Sequence, residues 1–325
     1  MVTNAAPHVP PNVQSDRPLD PEVAVNLRYL PAELLTSVRP EGISGLRAAV
    51  AALARAVSPD AGTLDYVVPG AHEVPLRVHR PRQRTVNLPC LYWIHSGGYI
   101  FGSHTDDDAI LQRWAETFDC IVVSVGYRLA PEHPYPAASD DCLAGLVWAY
   151  ENASELGFAP SRLGIAGRSA GAGLAASLAL RVRDQTRFQP IFQALLQPML
   201  DDRRVTESSR WMVPVWDAVT NTTGWQSYLG DLFGGEVPAY AAAARATDLI
   251  GLPPAYIAIG GADIFVDEAV AYSRALTHAK VATDLRVYAA ACHGFDQLAP
   301  ESAVAKRAQR DFEEWLVQAL TGGSS

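Results

Sequence analysis

The stretch Gly167-Arg168-Ser169-Ala170-Gly171 decides the fold, because it joins two segments of different periodicity. The apolar run 163–166 precedes it and the small-residue segment 172–180 follows it, which places Ser169 on a turn from a buried strand into a helix. Glycine on both sides lets such a strained turn pass close to its neighbours, with which a side chain would collide. The turn exposes the serine hydroxyl at a helix N-terminus, where backbone N–H groups can face an anion. The pattern indicates a nucleophilic serine in preference to an ordinary structural turn.

A serine nucleophile needs a histidine base, and the chain has eight histidines. His293 follows the strand-like segment 285–288, and the loop after the last strand is where an open parallel sheet carries its chemistry. His293 is therefore the predicted base. Surface, turn or other structural positions are expected for five others, namely His8, His72, His79, His133 and His278.

The acid that orients the histidine should follow the preceding strand, which gives the chain order Ser, Asp, His. Segment 255–259 is that strand, and Asp263 comes directly after it. We expect Asp263 to fix the tautomer of His293 and to stabilise the imidazolium that forms. Asp201 and Asp202, after the run 192–200, are the alternative, because some folds of this type place the acid there.

A glycine-rich loop supplies the predicted oxyanion hole. The buried strand 91–94 runs into His95-Ser96-Gly97-Gly98-Tyr99. Adjacent glycines let the backbone approach a substrate, so the N–H groups of Gly97 and Gly98 are expected to join that of Ala170 as three donors. Removing one such donor costs about 3–4 kcal/mol of transition-state stabilisation. His95 is expected to brace the turn, in preference to a catalytic or metal-binding role.

An acidic run follows this loop, in His104-Thr105-Asp106-Asp107-Asp108. It could suggest a cation site, but a metal cage needs ligands that converge and not merely adjacent ones. Carboxylates at a helix N-terminus explain the run more simply, because they complement the helix dipole. No metal site is predicted.

Length, composition and charge limit the classes of function. The length of 325 residues and a hydrophobic content of 49% suit one α/β domain with a large core. The net charge of the chain is −9. The negative charge argues against nucleic acid and anionic membranes as partners, since both would repel it. No apolar run reaches about 18 residues, so no transmembrane helix is expected. Segment 1–20 lacks the charged start and apolar stretch of a secretory signal, so we expect a cytoplasmic protein.

The four cysteines do not form a disulfide framework in a chain of this size. Cys90, Cys120 and Cys142 lie in or beside apolar segments and are expected to fill the core. Cys292 adjoins His293, but consecutive residues point in different directions, so packing is favoured over catalysis.

Strand-like and helix-like segments alternate along most of the chain, which predicts a mostly parallel, doubly wound α/β sheet with a helical cap. Helix-like residues 21–57 come first, and the N-terminal segment 1–57 is expected to contribute to the cap. The core is divided into residues 58–200 and 241–325, with a cap insertion at 201–240. Two early antiparallel strands are expected at 64–68 and 74–80, followed by parallel strands at 91–95, 121–125, 162–166, 191–197, 255–259 and 284–288.

The cap insertion contains three of the seven tryptophans, Trp211, Trp216 and Trp225. They could line an apolar substrate pocket, although for any single tryptophan packing of the cap onto the body is the more common role. Tyr99 and Arg168 complete the predicted pocket, because one follows the glycine pair and the other precedes the serine.

Taken together, these motifs resemble the bacterial hormone-sensitive-lipase-like (family IV) esterases of the α/β-hydrolase superfamily. The resemblance runs from about Leu91 to the C-terminus and also covers Tyr127-Arg128-Leu129-Ala130-Pro131-Glu132 and His293-Gly294-Phe295. It implies a carboxylic-ester hydrolase that acts on small-molecule esters of short to medium chain length, with a lid of helices and no metal or organic cofactor. A homodimer through an edge strand or a terminal helix is also compatible with the resemblance.

Several positions depart from the family pattern. Ser96 replaces the first of three glycines, Gly126 replaces a common aspartate, and Ala172-Gly173 replaces Gly-Asn. Arg168 stands where an acidic residue commonly precedes the serine. It could pair with a nearby carboxylate, or it could favour esters that carry an anionic group.

The predicted activity is that of a serine carboxylesterase with an acyl-enzyme intermediate, in which Ser169 attacks and His293 transfers the proton. An amidase or acyltransferase on the same triad is the first alternative. A non-catalytic small-molecule binding protein is the second, and the presence of His293 argues against it, because receptors of this fold lose the histidine.

Overall fold

A computed structural model describes residues 15–53, 62–70, 72–83 and 86–322 of the chain. The predictions for His8, for residues 54–57 and for most of segment 1–20 lie outside the described residues.

The described strands form one eight-stranded sheet. They are β1 (Thr63–Val68), β2 (Val74–His79), β3 (Leu88–Ile94), β4 (Ile121–Val125), β5 (Phe158–Arg168), β6 (Gln193–Leu196), β7 (Ala255–Gly260) and β8 (Thr283–Tyr288). Their order in the sheet is β1-β2-β4-β3-β5-β6-β7-β8. β2 pairs antiparallel with both β1 and β4, and all other neighbours are parallel. This arrangement confirms the predicted fold class.

Helices cover both faces of this sheet. The α-helices of the described residues are α1 (Pro21–Asn26), α2 (Ile43–Leu53), α3 (Asp108–Phe118), α4 (Ala137–Glu151), α5 (Ala153–Leu156), α6 (Ala170–Gln185), α7 (Ala218–Leu229), α8 (Val266–His278), α9 (Phe295–Leu298) and α10 (Ala303–Thr321). Short 3-10 helices lie at Leu27–Tyr29, Ala32–Leu34, Pro40–Gly42, Ser208–Arg210, Gly230–Leu232 and Ala243–Arg245.

Burial on both faces explains why the central strands are apolar without alternation. Every residue of β3, β4 and β7 is buried, as expected for parallel strands covered by helices on both sides. α10 instead buries one stripe at helical spacing, which includes Phe312, Leu316 and Leu320.

The N-terminal segment differs from the sequence prediction. Helix-like spacing predicts helix from residue 21 onward, whereas the structure has two α-helices separated by 3-10 turns. Pro31 and Pro40 explain the interruption, because proline removes a backbone donor and restricts the residue before it.

The four cysteines are free and buried, which agrees with a packing role. Burial raises the pKa of both the Cys120 and the Cys292 thiol to about 12, so neither is a thiolate near neutral pH. No helix in the described part of the chain is long and apolar enough to cross a membrane.

Candidate active site

Ser169 lies between the end of β5 and the start of α6 with a backbone φ of 55° and ψ of −121°. A positive φ at a non-glycine residue is strained, and here the packing around the turn imposes it. A Cβ on Gly171 would lie 2.2 Å from the carbonyl oxygen of Ile94, and one on Gly167 would lie 2.4 Å from that of Gly171. Both flanking glycines are therefore required for the turn to pass this close to the neighbouring backbone.

The structure brings Ser169, His293 and Asp263 together at the carboxyl end of the sheet. His293 Nε2 is 2.8 Å from Ser169 Oγ, and His293 Nδ1 is 2.7 Å from Asp263 Oδ2. Asp263 is fully buried, and its other oxygen accepts a hydrogen bond from the Phe265 N–H at 3.0 Å. Since a carboxylate only accepts, Nδ1 carries the proton and Nε2 can accept one from the serine.

The alternative acids have other partners. Asp201 forms a bidentate pair with Arg203 at 2.7 and 2.8 Å, and Asp202 forms one with Arg245 at 2.6 and 2.8 Å. Their carboxylates are therefore occupied in ion pairs that do not include His293.

The glycine loop has the backbone freedom that the oxyanion-hole prediction requires. Gly97 has a φ of 123° and Gly98 a φ of 57°. The Gly97 carbonyl accepts hydrogen bonds from the N–H groups of Ile100 and Phe101. Within the described residues, the N–H groups of Gly97 and Gly98 donate to no other protein group, which leaves them available for an oxygen of the substrate.

His95 braces this loop. It stacks on Tyr127 with ring centroids 4.1 Å apart, and its Nδ1–H donates to the Ser96 carbonyl at 2.7 Å. Burial lowers the pKa of His95 to about 3, so the ring is neutral at ordinary pH. These contacts match the structural role expected from the sequence.

The carboxylates of the acidic run after the loop have different partners. Asp108 is the first residue of α3, where a carboxylate complements the helix dipole as expected, and it pairs with Arg77 at 2.6 Å. Asp107 instead accepts from the Trp93 indole at 2.8 Å. Among the described residues, no group of three or more His, Cys, Asp or Glu side chains is arranged to hold a metal ion.

A cavity of about 130 Å³ opens onto Ser169 and His293. This is small beside the roughly 300–1,000 Å³ of pockets for drug-sized ligands. Its apolar lining comes from both ends of the chain, and the residues are Leu34, Val38, Leu46, Phe101, Val215, Trp216 and Leu298. Arg168, Thr220 and Gln297 add polar groups.

Of the five predicted pocket residues, Arg168 and Trp216 line this cavity and the other three do not. Tyr99 is buried and stacks on Tyr228 with centroids 4.0 Å apart, and Trp225 packs against Tyr99 at 5.4 Å. Trp211 lies beneath the guanidinium of Arg17 at 3.8 Å. Trp211 and Trp225 therefore have packing contacts, which was the alternative considered for the tryptophans, and Tyr99 packs in the core beside Trp225.

Trp216 lies directly against the glycine loop. A Cβ on Gly98 would lie 1.9 Å from Trp216 Cη2, so the indole edge occupies the space beside that backbone. Its ring centroid is 6.3 Å from that of His293. The indole therefore forms a wall of the cavity next to the candidate reacting groups.

Arg168 is buried and pairs with two carboxylates. Its Nη2 donates to Asp296 Oδ2 at 2.8 Å, and its Nη1 lies 3.4 Å from Asp107 Oδ1. The guanidinium also lies 5.6 Å from the Trp93 ring centroid. The geometry thus favours the paired arginine over a free anion-binding group.

Side-chain hydrogen bonds fasten the N-terminal segment across the site. Thr220 Oγ1 accepts from the Val38 N–H at 3.0 Å, and Thr223 Oγ1 donates to the Val38 carbonyl at 2.8 Å. Arg47 donates to the Ile100 carbonyl at 2.7 Å and forms a bidentate pair with Glu132. No short-range pattern in the sequence indicates these long-range contacts.

Comparison with known proteins agrees with this geometry. A family model for the α/β-hydrolase fold matches residues 91–297. "Carboxylesterase NlhH" of Mycobacterium tuberculosis is 36% identical over 230 residues, which are 70% of this chain and 72% of that protein. "Esterase LipI" of the same organism is 32% identical over 293 residues, which are 87% and 90% of the two chains. The solved structure titled "Bacterial Heroin Esterase" superposes with a TM-score of 0.86 at 34% identity, over 93% of this chain and 98% of that one.

The fold and these relatives define the class as a carboxylic-ester hydrolase that acts on small-molecule esters. The chain belongs to the α/β-hydrolase family, in its bacterial hormone-sensitive-lipase-like esterase branch. The resemblance seen in the sequence is thereby confirmed.

Proposed function

We propose that Ser169, His293 and Asp263 are the catalytic triad, and that ester hydrolysis proceeds through an acyl group on Ser169. The observation that carries the proposal is the pair of contacts at His293, 2.8 Å to the serine oxygen and 2.7 Å to the buried carboxylate. These distances are within hydrogen-bond reach for proton transfer without rearrangement.

In the first half-reaction, Ser169 Oγ attacks the ester carbonyl carbon and its proton passes to His293 Nε2. The carbonyl oxygen becomes an oxyanion, which accepts from the N–H groups of Gly97, Gly98 and Ala170. The bond to the alcohol oxygen then breaks, and the alcohol takes the proton from His293.

In the second half-reaction, His293 takes a proton from water, and the resulting hydroxide equivalent attacks the acyl carbon. The tetrahedral intermediate collapses with cleavage of the bond to Ser169 Oγ, which recovers its proton from His293. Asp263 accepts from His293 Nδ1–H in both half-reactions and stabilises the imidazolium.

The proposed substrates are esters of short to medium acyl chain length. The support is the size of the cavity, about 130 Å³, and the bulky side chains of Phe101 and Trp216 in its wall. Residues 15–53 and 201–240 are proposed as the cap, because Leu34, Val38 and Leu46 reach the same cavity as Trp216.

A panel of aryl esters from acetyl to palmitoyl tests the proposal with the parent and Ser169→Ala. We expect the parent to hydrolyse the short members and the variant to lose activity about 10⁶-fold in kcat. Matched amides and added alcohols in the same panel distinguish an amidase or acyltransferase. Activity retained by a folded Ser169→Ala variant would overturn the proposed nucleophile.

We also propose a homodimer that forms through β8. This strand is at the edge of the sheet, and Val287 on it is 50% exposed. Exposed edges of this kind pair readily with a second copy. Sedimentation of the parent beside Val287→Asp tests it, with a dimer expected for the parent and a monomer for the variant. A monomeric parent would overturn this assignment.

The cytoplasm is the proposed compartment, because all four cysteines are buried free thiols, a pattern that suits a reducing environment. Cell fractionation with an antibody to the chain tests it, and recovery outside the cytoplasmic fraction would contradict it.

A further inference from the structure

A partly buried polar path connects the residue before the candidate nucleophile with the loop that carries the candidate base. Arg168 immediately precedes Ser169, and Asp296 comes three residues after His293. Arg168 Nη2 donates to Asp296 Oδ2 at 2.8 Å. The arginine is 3% exposed, whereas the side chain of Asp296 is 19% exposed, so water screens this ion pair only in part.

Gln197 completes the path on the other side of Asp296. Its Nε2 donates to Asp296 Oδ1 at 2.8 Å, and its Oε1 accepts from the Gly294 N–H at 2.5 Å. A carboxylate only accepts and a backbone N–H only donates, so the two partners fix the orientation of the amide. Gly294 directly follows His293, so Gln197 holds the backbone next to the base.

The backbone of Gln197 is itself constrained. It lies just beyond β6 with a φ of 52°, and its N–H donates to the Ala258 carbonyl at 2.7 Å. A left-handed conformation at a non-glycine residue persists only where the surroundings impose it. Here it directs the amide between Asp296 and Gly294.

The charges in this cluster are interdependent. Arg168 lies between Asp296 and Asp107, and Asp107 also accepts from Trp93 Nε1 at 2.8 Å and Gln297 Nε2 at 3.1 Å. Removal of the arginine alone would leave the buried carboxylate of Asp107 and the partly exposed carboxylate of Asp296 without their shared cation, which is unfavourable.

We propose that Arg168, Asp296 and Gln197 are positioning residues that hold His293 within reach of Ser169. The proposal rests on the proposed function of these two residues. Asp263 fixes one ring nitrogen of His293, whereas Gln197 fixes the backbone that carries the ring. A displacement of about 1 Å at reacting groups can cost about 100-fold in rate, so small movements of this loop matter.

Arg168 lines the cavity, but Nη1 and Nη2 of its guanidinium face Asp107 and Asp296, so the proposal assigns its effect to the loop and not to an anionic group of the substrate. We therefore expect its removal to affect neutral and anionic esters equally.

The test compares kcat and KM of Arg168→Met, Gln197→Leu, Asp296→Asn and the double variant Arg168→Met/Asp296→Asn. We expect Arg168→Met and Gln197→Leu to lower kcat by about 10- to 100-fold with little change in KM. In the double variant, asparagine keeps an oxygen for Gln197 and removes the repulsion with Asp107. The double variant should therefore recover part of the activity that Arg168→Met alone loses.

A fluorophosphonate that modifies the serine gives a second readout, and its inactivation rate should fall in parallel with kcat. Arg183→Met is the matched control, because this arginine bonds Asp184 and two backbone carbonyls far along α6 from Ser169. Melting temperature and circular dichroism establish that each variant is folded.

Three results would overturn the proposal. The first is a parent-like kcat in folded Gln197→Leu, and the second is a decrease of kcat in the double variant that equals the product of the two single decreases. The third is a decrease of kcat in Arg168→Met that is confined to anionic esters. Ser169→Ala separates this failure from failure of the proposed function. If Ser169→Ala is inactive and the three positions are neutral, only the positioning role is refuted. If Ser169→Ala is active, the triad assignment itself is refuted.

Discussion

Replacement of Trp216 by leucine should widen the range of acyl chains that the enzyme accepts. The indole edge occupies the space beside Gly98, where an added Cβ would lie only 1.9 Å away, and its ring is 6.3 Å from His293. Leucine is smaller and keeps the wall apolar. A longer acyl chain can then enter the freed space and bury additional methylene groups next to the reacting carbonyl.

The magnitude follows from the area removed from water. Each buried methylene contributes about 0.8 kcal/mol, which is about fourfold in kcat/KM, so two methylenes give about 15-fold. The ratio of kcat/KM for the hexanoyl ester to that for the butyryl ester should therefore rise by up to about 15-fold in Trp216→Leu. Steady-state hydrolysis of p-nitrophenyl esters measures this ratio.

Trp211→Leu is the matched control, because Trp211 belongs to the same segment but does not line the cavity. Its ratio should stay at the parent value. Since Trp216 is 4% exposed, its loss also destabilises the fold, and melting temperatures must show that the variant is folded during the assay. An unchanged ratio in folded Trp216→Leu would refute the assignment of this indole as the wall that limits chain length.

Three further variants test other parts of the site. Gly98→Ala introduces a Cβ that collides with Trp216 and displaces an oxyanion donor, so kcat/KM should fall by about 10²–10³-fold, and near-parent activity would contradict that role. Arg47→Met removes the bonds to Ile100 and Glu132 and should raise KM several-fold more than it lowers kcat; equal effects on both would show that the cap contact does not govern binding. Burial raises the pKa of Glu268 well above its ordinary 4.5, so the folded state binds this proton more tightly and loses stability as pH rises above 4.5. Glu268→Gln should therefore unfold at higher urea than the parent at pH 8, with the difference shrinking toward pH 4.5, and a difference that grows on acidification would contradict the buried acid.

The fold and the residues at the strand ends could be predicted because short-range patterns determine them. Buried strands are visible as apolar runs, and the carboxyl ends of parallel strands meet at one edge of the sheet. Ser169 follows β5 directly, Asp263 lies three residues beyond β7 and His293 five residues beyond β8, so their proximity follows from topology. The glycines beside Ser169 are predictable for the same reason, since the turn itself requires them.

The cavity lining could not be predicted in the same way. Val38 reaches the site through hydrogen bonds with Thr220 and Thr223, which are more than 180 positions away in the chain. Trp211 and Trp216 lie in one irregular segment without periodicity, so the sequence does not show which of them faces the cavity. The structure places only Trp216 there.

The polar path through Gln197 was also outside the reach of sequence patterns. Its amide bridges Asp296 and Gly294 because the backbone of Gln197 has a positive φ, which no residue-type preference predicts for glutamine. Arg168 was recognisable as unusual beside a serine, but its two carboxylate partners come from distant elements, Asp107 at the start of α3 and Asp296 in α9.

Acylation of Ser169 is the most direct test of the account. The parent and Ser169→Ala are mixed with excess p-nitrophenyl butyrate, quenched in acid within the first turnovers, and digested for peptide mass spectrometry. We expect one butyryl group in the parent, located on the peptide that contains Gly167-Arg168-Ser169-Ala170-Gly171 and assigned to Ser169 by fragmentation. The Ser169→Ala variant should carry none. Butyryl transfer to another residue, or rapid hydrolysis by folded Ser169→Ala, would contradict the proposed mechanism.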